Sequence, residues 1–531
     1  MPTRWSSTAL VLSLLLIAVP AAVAQESVEA DVLLRGGTVF DGVGSPGVIG
    51  DVAIKGDRIV GVGTFKTGEI ARVIDCTGLY IAPGFIDLHT HSDNQVTDPL
   101  LRGSINYLMQ GCTTQVTGNC GSGPVDVAAY YKKIEEGGAG TNVAHLVPQG
   151  SLREKVIGDV DRKATSNDLV KMQELVDQGM RDGAWGMATG LIYVPSVYAD
   201  TDELISINKF VAKHGGIYAS HIRGEGSELL AAVTEAIRIG REGGTPAHVS
   251  HFKASGHESW GTLRLAIELI EQARAKGEKV TADQYPYTAS STSLEATIVP
   301  TWARSGGNDE LVKRIDSDET GPKLKKDIAR SLEVKDQGAA VFIARYKPKR
   351  AWVGKNLKQI AEMDKRPVLD VALEIIRNGG AAIVNFSMSE DDVRLGMQQP
   401  WVATASDGRA YLPGADKPHP RSYGTFPRKI GRYALAEGVL PVEAAIRSAS
   451  GLPAEILGLP ERGRLTPGFF ADVVVFDPKE YRDAATFEDP HQYTRGMSYV
   501  FVNGQPAVHQ GIPTGTLAGR ALRHVSPAPA P

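Results

Sequence analysis

The alternation of apolar and polar positions divides the chain into three kinds of segment. Near both ends lie short strand-like runs: residues 31–40, 51–55 and 58–62 early, 472–477 and 499–504 late. Lys55-Gly56-Asp57 between two of them carries hairpin chemistry. Strands at both termini with a long middle predict a small β-domain, sandwich-like, built from both chain ends. In the middle, strand-like segments alternate with helical periodicity, as at residues 227–242 and 262–275. Eight such segments stand out: 84–91, 113–120, 142–147, 184–189, 216–223, 246–253, 280–285 and 401–407. Eight parallel strands alternating with helices are the count of a (β/α)8, TIM-like barrel. The gap of about 291–399 is far longer than one crossover, so it predicts an inserted subdomain after the seventh strand, part of which covers the mouth.

Both chain ends carry further patterns. Arg4, an apolar run from Ala9 to Val19 and the small residues Ala22-Val23-Ala24 predict a secretory signal over residues 1–24, cleaved before Gln25. The mature chain is then secreted, periplasmic if the source is a Gram-negative bacterium, with no stable membrane anchor. The Pro/Ala tail at 526–531 predicts disorder. The expected division is a β-domain at 25–83 and 464–525 and a barrel at 84–463.

Composition narrows the class. The 531 residues carry 57 Lys+Arg against 61 Asp+Glu, a formal net charge of −4, which argues against an electrostatic nucleic-acid binder. Hydrophobic residues at 42% and charged ones at 22% fit an ordinary folded enzyme. Only Cys76, Cys112 and Cys120 are present, too few for a disulfide framework.

The chemistry-bearing residues fall at matching places. His89 and His91 end the first strand, Cys120 the second, His221 the fifth, His251 the sixth and Asp407 the eighth. In a barrel these carboxyl ends meet at one mouth. Each residue alone reads as a strand His, a buried thiol or an Asp-Gly turn. All six together read as a metal centre, because imidazole, thiolate and carboxylate suit zinc or a related transition metal. His248 lies on the opposite strand face and, with His145, is left out.

The chain resembles the amidohydrolase superfamily and, within it, the N-acyl-D-amino-acid deacylase (D-aminoacylase) family. The resemblance rests on PGFIDLHTHSD at 83–93, TGNCG at 117–121, GAWGMATGL at 183–191 and ASHIRGE at 219–225. It also rests on SHFK at 250–253, DQYPY at 283–287, SDG at 406–408 and HPR at 419–421. It implies that a second-strand cysteine replaces the carboxylated lysine of many relatives, and the fourth strand here indeed offers no lysine. It implies that Cys120, His221 and His251 hold a tightly bound zinc, and that His89, His91 and Asp407, sharing Cys120, hold a weaker second one. Zinc lowers the pKa of bound water to about 7 and polarises an amide carbonyl. Asp407 would take the water's proton and pass it to the leaving amine.

An N-acyl amino acid also brings a carboxylate. Lys253, Tyr285 and a serine at Ser290 or Ser291 are implied as its clamp, and Arg223, two residues beyond His221, is a further candidate by strand alternation. His419 and Arg421 read as structural loop residues. Family members commonly carry Gly-His after the third strand, where this chain has Pro148-Gln149-Gly150, which bears on pocket shape. The expected activity is hydrolysis of N-acyl amino acids, of D configuration, by a small-molecule enzyme. Dipeptide or cyclic-amide hydrolysis, and non-catalytic ligand binding on the same fold, stand as alternatives.

Overall fold

A computed structural model describes Met1, Pro2 and residues 27–526. Most of the expected signal segment, from Thr3, and the tail beyond Ser526 lie outside the described residues. No described helix is long and apolar enough to cross a membrane.

Eight short parallel strands carry the site. They are β1 (Phe85–Asp87), β2 (Cys112–Thr117), β3 (Asn142–His145, continued by Val147–Pro148), β4 (Gly186–Gly190), β5 (Ile217–His221), β6 (Ala247–Val249), β7 (Val280–Gln284) and β8 (Val402–Thr404). Hydrogen bonding links β1, β2 and β3 in one run and β3, β4, β5, β6, β7 and β8 in another. The ring closes beyond the strand ends, where the His91 N–H donates to the Gly408 carbonyl and the Asp407 N–H to the His89 carbonyl, both at 2.8 Å. That closure sets Asp407 beside the two histidines. β1, β2, β3, β4, β5, β6 and β8 are buried along their whole length, as helices outside and packed side chains inside require. Ile86, Val116, Ala144, Ala188, Ala219 and Ala403 share one interior core.

The helices follow their apolar spacing. Leu229–Gly243 buries Ala232, Val233, Ala236, Ile237 and Gly240, and Gly244 ends it in the left-handed conformation at φ +83°.

The terminal strands, from Val28–Val39 to Tyr80–Pro83 and from Val473–Phe476 to Ile512–Pro513, join one nine-stranded sheet. The long strand Val28–Val39 pairs in its first part with Thr67–Asp75 and at its end with Tyr80–Pro83. Ile74 and Val473 then pack in one core, so the sheet folds over itself as a sandwich.

The insertion builds its own three-stranded antiparallel sheet from Ala289–Ser293, Val341–Arg345 and Ala382–Phe386, with a separate apolar core. The helix Glu390–Met397 near the end of the expected insertion packs on the barrel instead: Val393 and Met397 join the core that contains Phe85 and Cys112.

Candidate metal centre

The loop after β2 shows how local sequence aims a ligand. Gly118 sits at φ +83°, and a Cβ there would stand 1.9 Å from the Leu146 carbonyl oxygen. The Asn119 amide donates to the carbonyls of Leu88 and Val116, both at 3.0 Å, which pins the turn. Cys120 follows in the left-handed region at φ 51°. His251 and Asp407 share that strain at φ 37° and φ 50°. Such conformations cost about 1–3 kcal/mol each and persist where surrounding packing holds them.

These backbones bring the six expected ligands together. The Cys120 Sγ stands 3.3 Å from His89 Nε2, 3.5 Å from His221 Nδ1 and 3.6 Å from His251 Nε2. His91 Nε2 lies 2.9 Å from Asp407 Oδ1, and His89 Nε2 lies 3.6 Å from the same oxygen. Three overlapping three-donor groups result: His89–His91–Cys120, Cys120–His221–His251 and His89–His251–Asp407.

Tetrahedral zinc, with Zn–S of about 2.3 Å and Zn–N of about 2.0–2.1 Å, sets sulfur–nitrogen separations of about 3.5 Å and nitrogen–nitrogen ones of about 3.3 Å. The thiol–imidazole separations match. The His221–His251 separation of 2.8 Å is shorter, so those rings must part slightly to admit an ion. The donor set therefore fits a metal. Burial pushes the Cys120 thiol up, but the His89 and His221 imidazoles outweigh it and hold the thiol well below its ordinary value, as a thiolate ligand needs.

Two carboxylates absent from the expected site orient the ligands. Asp283 accepts from the His251 backbone N–H at 2.7 Å through Oδ1, while its Oδ2 lies 2.8 Å from His248 Nε2 and 3.5 Å from His89 Nδ1. Glu225 Oε1 stands 2.9 Å from His251 Nδ1 and 2.5 Å from Lys253 Nζ. Such contacts fix which ring nitrogen faces the ion. A carboxylate inside the apolar run of a barrel strand, as Asp283 is in β7, was the available signal.

The expected substrate residues divide. Lys253 is buried near the centre, yet its ammonium is paired with Glu225. Tyr285 is buried with its hydroxyl lacking a hydrogen-bond partner, and its ring lies under the Arg421 guanidinium at 4.6 Å. Arg223 does not enter the mouth. β5 ends at His221, alternation stops there, and Arg223 turns to Glu235 and the carbonyls of Val197 and Ala199. Ser290 pairs with Asn385 in the insertion's sheet, while Ser291, Thr292 and Ser293 line the cavity.

Arg421 corrects the structural reading of its loop. It is 4% exposed, lines the cavity and stands 2.8 Å from Asp407 Oδ2. Burial pushes the Asp407 carboxyl up, but Arg421, then His89 and His91, hold it well below the carboxylate range. His419 keeps a structural part, with Nε2 2.8 Å from the Ala289 carbonyl oxygen. Tyr193 was also missed: it lines the cavity, its ring edge meets His221 and its hydroxyl lies 2.9 Å from Thr292 Oγ1.

The centre opens into a cavity of about 1210 Å³ walled on one side by the barrel loops and on the other by the insertion.

The chain is similar to known proteins over nearly its whole length. The model of the amidohydrolase family matches residues 72–508. A D-aminoacylase of Alcaligenes xylosoxydans xylosoxydans is 35% identical over 94% of this chain and 98% of its own length. A solved D-aminoacylase structure, described by its binuclear metal centre, superposes with a TM-score of 0.79 at 34% identity, over 93% of this chain and 100% of that one. N-acyl-D-glutamate deacylase from Bordetella bronchiseptica, solved with zinc and a phosphonate mimic of the tetrahedral intermediate, superposes with a TM-score of 0.79 at 30% identity, over the same shares.

Proposed function

The chain belongs to the amidohydrolase family and is a metal-dependent hydrolase, and from that premise we propose that it hydrolyses N-acyl-D-amino acids to a carboxylate and a free amino acid. One observation carries the reading: a buried thiol ringed by three imidazole nitrogens within 3.6 Å, beside Asp407 in an open cavity. The metal in this reading is zinc, held first by Cys120, His221 and His251, with His89, His91 and Asp407 able to hold a second ion alongside Cys120. Zinc so held supplies Lewis acidity toward an amide carbonyl and makes water a stronger acid.

The chain's own groups do the rest. Arg421 occupies Asp407 Oδ2, which leaves Oδ1 on the imidazole side to accept a proton from attacking water. As the C–N bond breaks, the same oxygen returns that proton to the amide nitrogen, because an amine leaves poorly as an anion. The substrate carboxylate meets Arg421 and the unpartnered Tyr285 hydroxyl, with Lys253 and Glu225 behind them. The D configuration rests on the relatives.

A panel of N-acetyl-D- and N-acetyl-L-amino acids, dipeptides and hydantoins, run with and without added zinc, tests this. We expect zinc-dependent release of D-amino acids; hydrolysis of hydantoins but of no open-chain amide overturns it. We also propose export, supported by the charged, apolar and small-residue order of the first 24 positions. The N-terminus of the exported protein should then read Gln25, and an intact Met1 on that protein refutes cleavage.

A further inference from the structure

One wall of the cavity carries a carboxyl that the chemistry above does not use. The strand Ala289–Ser293 runs out from the centre, and the Ser291 carbonyl accepts from Arg421 Nη2 at 3.3 Å. The helix Leu294–Ile298 follows, capped by the Ser293 hydroxyl, which accepts from the Ala296 N–H at 3.1 Å. Glu295, in its first turn, lines the same cavity. Its Oε1 is buried and lacks a hydrogen-bond partner. Among the described residues no lysine or arginine pairs with it, although Arg345 and Lys347 stand exposed at the cavity's edge. Burial accordingly pushes this carboxyl up, opposed only by its own backbone N–H and Ser293.

The opposite side of that carboxyl is made by a glycine, Gly380. Gly380 sits at φ +82°, and a Cβ there would stand 2.0 Å from Glu295 Oε1, so only a bare backbone leaves room for the carboxyl. An acid serving only the helix terminus gains as much from solvent, and burying it without a counter-charge is costly. A ligand donor entering the cavity supplies what the protein withholds. From Ser291, whose carbonyl Arg421 meets, to Glu295 the chain covers two strand and two helical steps, so the two residues lie at most about 10 Å apart along the cavity wall. A long amino-acid side chain whose own carboxylate is held at Arg421 extends over a span of that order.

We propose that Glu295 reads the substrate's side chain and selects N-acyl amino acids whose side chain ends in a cation, an ammonium or a guanidinium. This rests on the amide-hydrolase reading above. The pair formed is a charge-assisted hydrogen bond in a partly dry wall, stronger than its solvent counterpart.

The test compares kcat/KM of the zinc-loaded enzyme for N-acetyl-D-lysine and N-acetyl-D-arginine with that for N-acetyl-D-norleucine, which keeps lysine's four-carbon stem and lacks its terminal ammonium. We expect the basic substrates to lead by about tenfold or more, and Glu295→Gln to bring the lysine-to-norleucine ratio toward one. A parallel pair, N-(6-aminohexanoyl)- and N-hexanoyl-D-leucine, places the cation on the acyl group instead. A Glu295-dependent preference confined to that pair overturns the side-chain assignment. Equal rates for lysine and norleucine derivatives, or a preference that survives Glu295→Gln, overturns the Glu295 proposal alone. Failure to hydrolyse any N-acyl amino acid, neutral ones included, overturns the amide-hydrolase reading as well.

Discussion

Glu225 offers the sharpest test of how the centre is held. Its Oε1 stands 2.5 Å from Lys253 Nζ and 2.9 Å from His251 Nδ1, with side chains 15% and 7% exposed for the acid and the lysine. Burial alone pushes its carboxyl up, yet Lys253, His251 and His221 together hold it well below the carboxylate range. At an effective dielectric of about 20, unit charges at that separation attract by about 6–7 kcal/mol, against which desolvation must be set. Removing one partner of such a pair costs about 3–5 kcal/mol, because the other charge stays buried alone. Glu225→Gln should therefore destabilise the zinc-loaded protein by about that much in urea unfolding, and Lys253→Met by a comparable amount. The double variant should lose about 2–3 kcal/mol less than the sum, since neither charge is then stranded. Glu225 also orients His251, so zinc affinity in Glu225→Gln should fall about 10–100-fold in a chelator competition. Losses that add within about 0.5 kcal/mol, with zinc affinity unchanged, refute the coupled arrangement.

Three further outcomes follow from single positions. Asp407→Asn should lower kcat by about 10²-fold or more while zinc remains on Cys120, His221 and His251; retained turnover, or loss of all metal, contradicts its part as proton carrier. Gly118→Ala places a methyl 1.9 Å from the Leu146 carbonyl in a left-handed backbone, so it should shift the Cys120 turn and lower bound zinc by elemental analysis; full metal content counts against this. His145, its Nε2 2.9 Å from the Pro124 carbonyl oxygen, is pushed down by burial to about 4. The unfolded chain protonates it first, near pH 6.5, so its contribution is full above that pH and is lost as pH falls toward 4. The loss approaches about 3 kcal/mol. Unfolding of His145→Gln should lack that part of the acid loss, and parallel pH profiles for the two proteins refute the burial argument.

The legible part of the site was the part at the strand ends: His221 closes β5, and the other five ligands follow within four residues of β1, β2, β6 and β8. His89, His91, Cys120, His221, His251 and Asp407 were readable because each closes a segment of the same polarity, and a ring of parallel strands sends all such ends to one mouth. Arg223 shows where that logic stops. Alternation holds only while the strand lasts, and beyond His221 the backbone turns, so Glu225 rather than Arg223 comes back to the centre. Arg421 lay still further from any strand, and although its HPR motif carries the family resemblance, that motif did not say which carboxylate the guanidinium would meet.

The order of residues, by itself, set the element count, the barrel and the chemical kinds of donor available, because periodicity and residue type act locally. Folding decided which nitrogen of each imidazole faces Cys120, which carboxylates stand behind the ligands, and that three ligand-bearing residues take left-handed backbones. Those outcomes turn on separations of a few tenths of an ångström between residues far apart in the chain. No local preference reaches that far; only the closed ring, with its packed interior and its insertion laid over the mouth, imposes them.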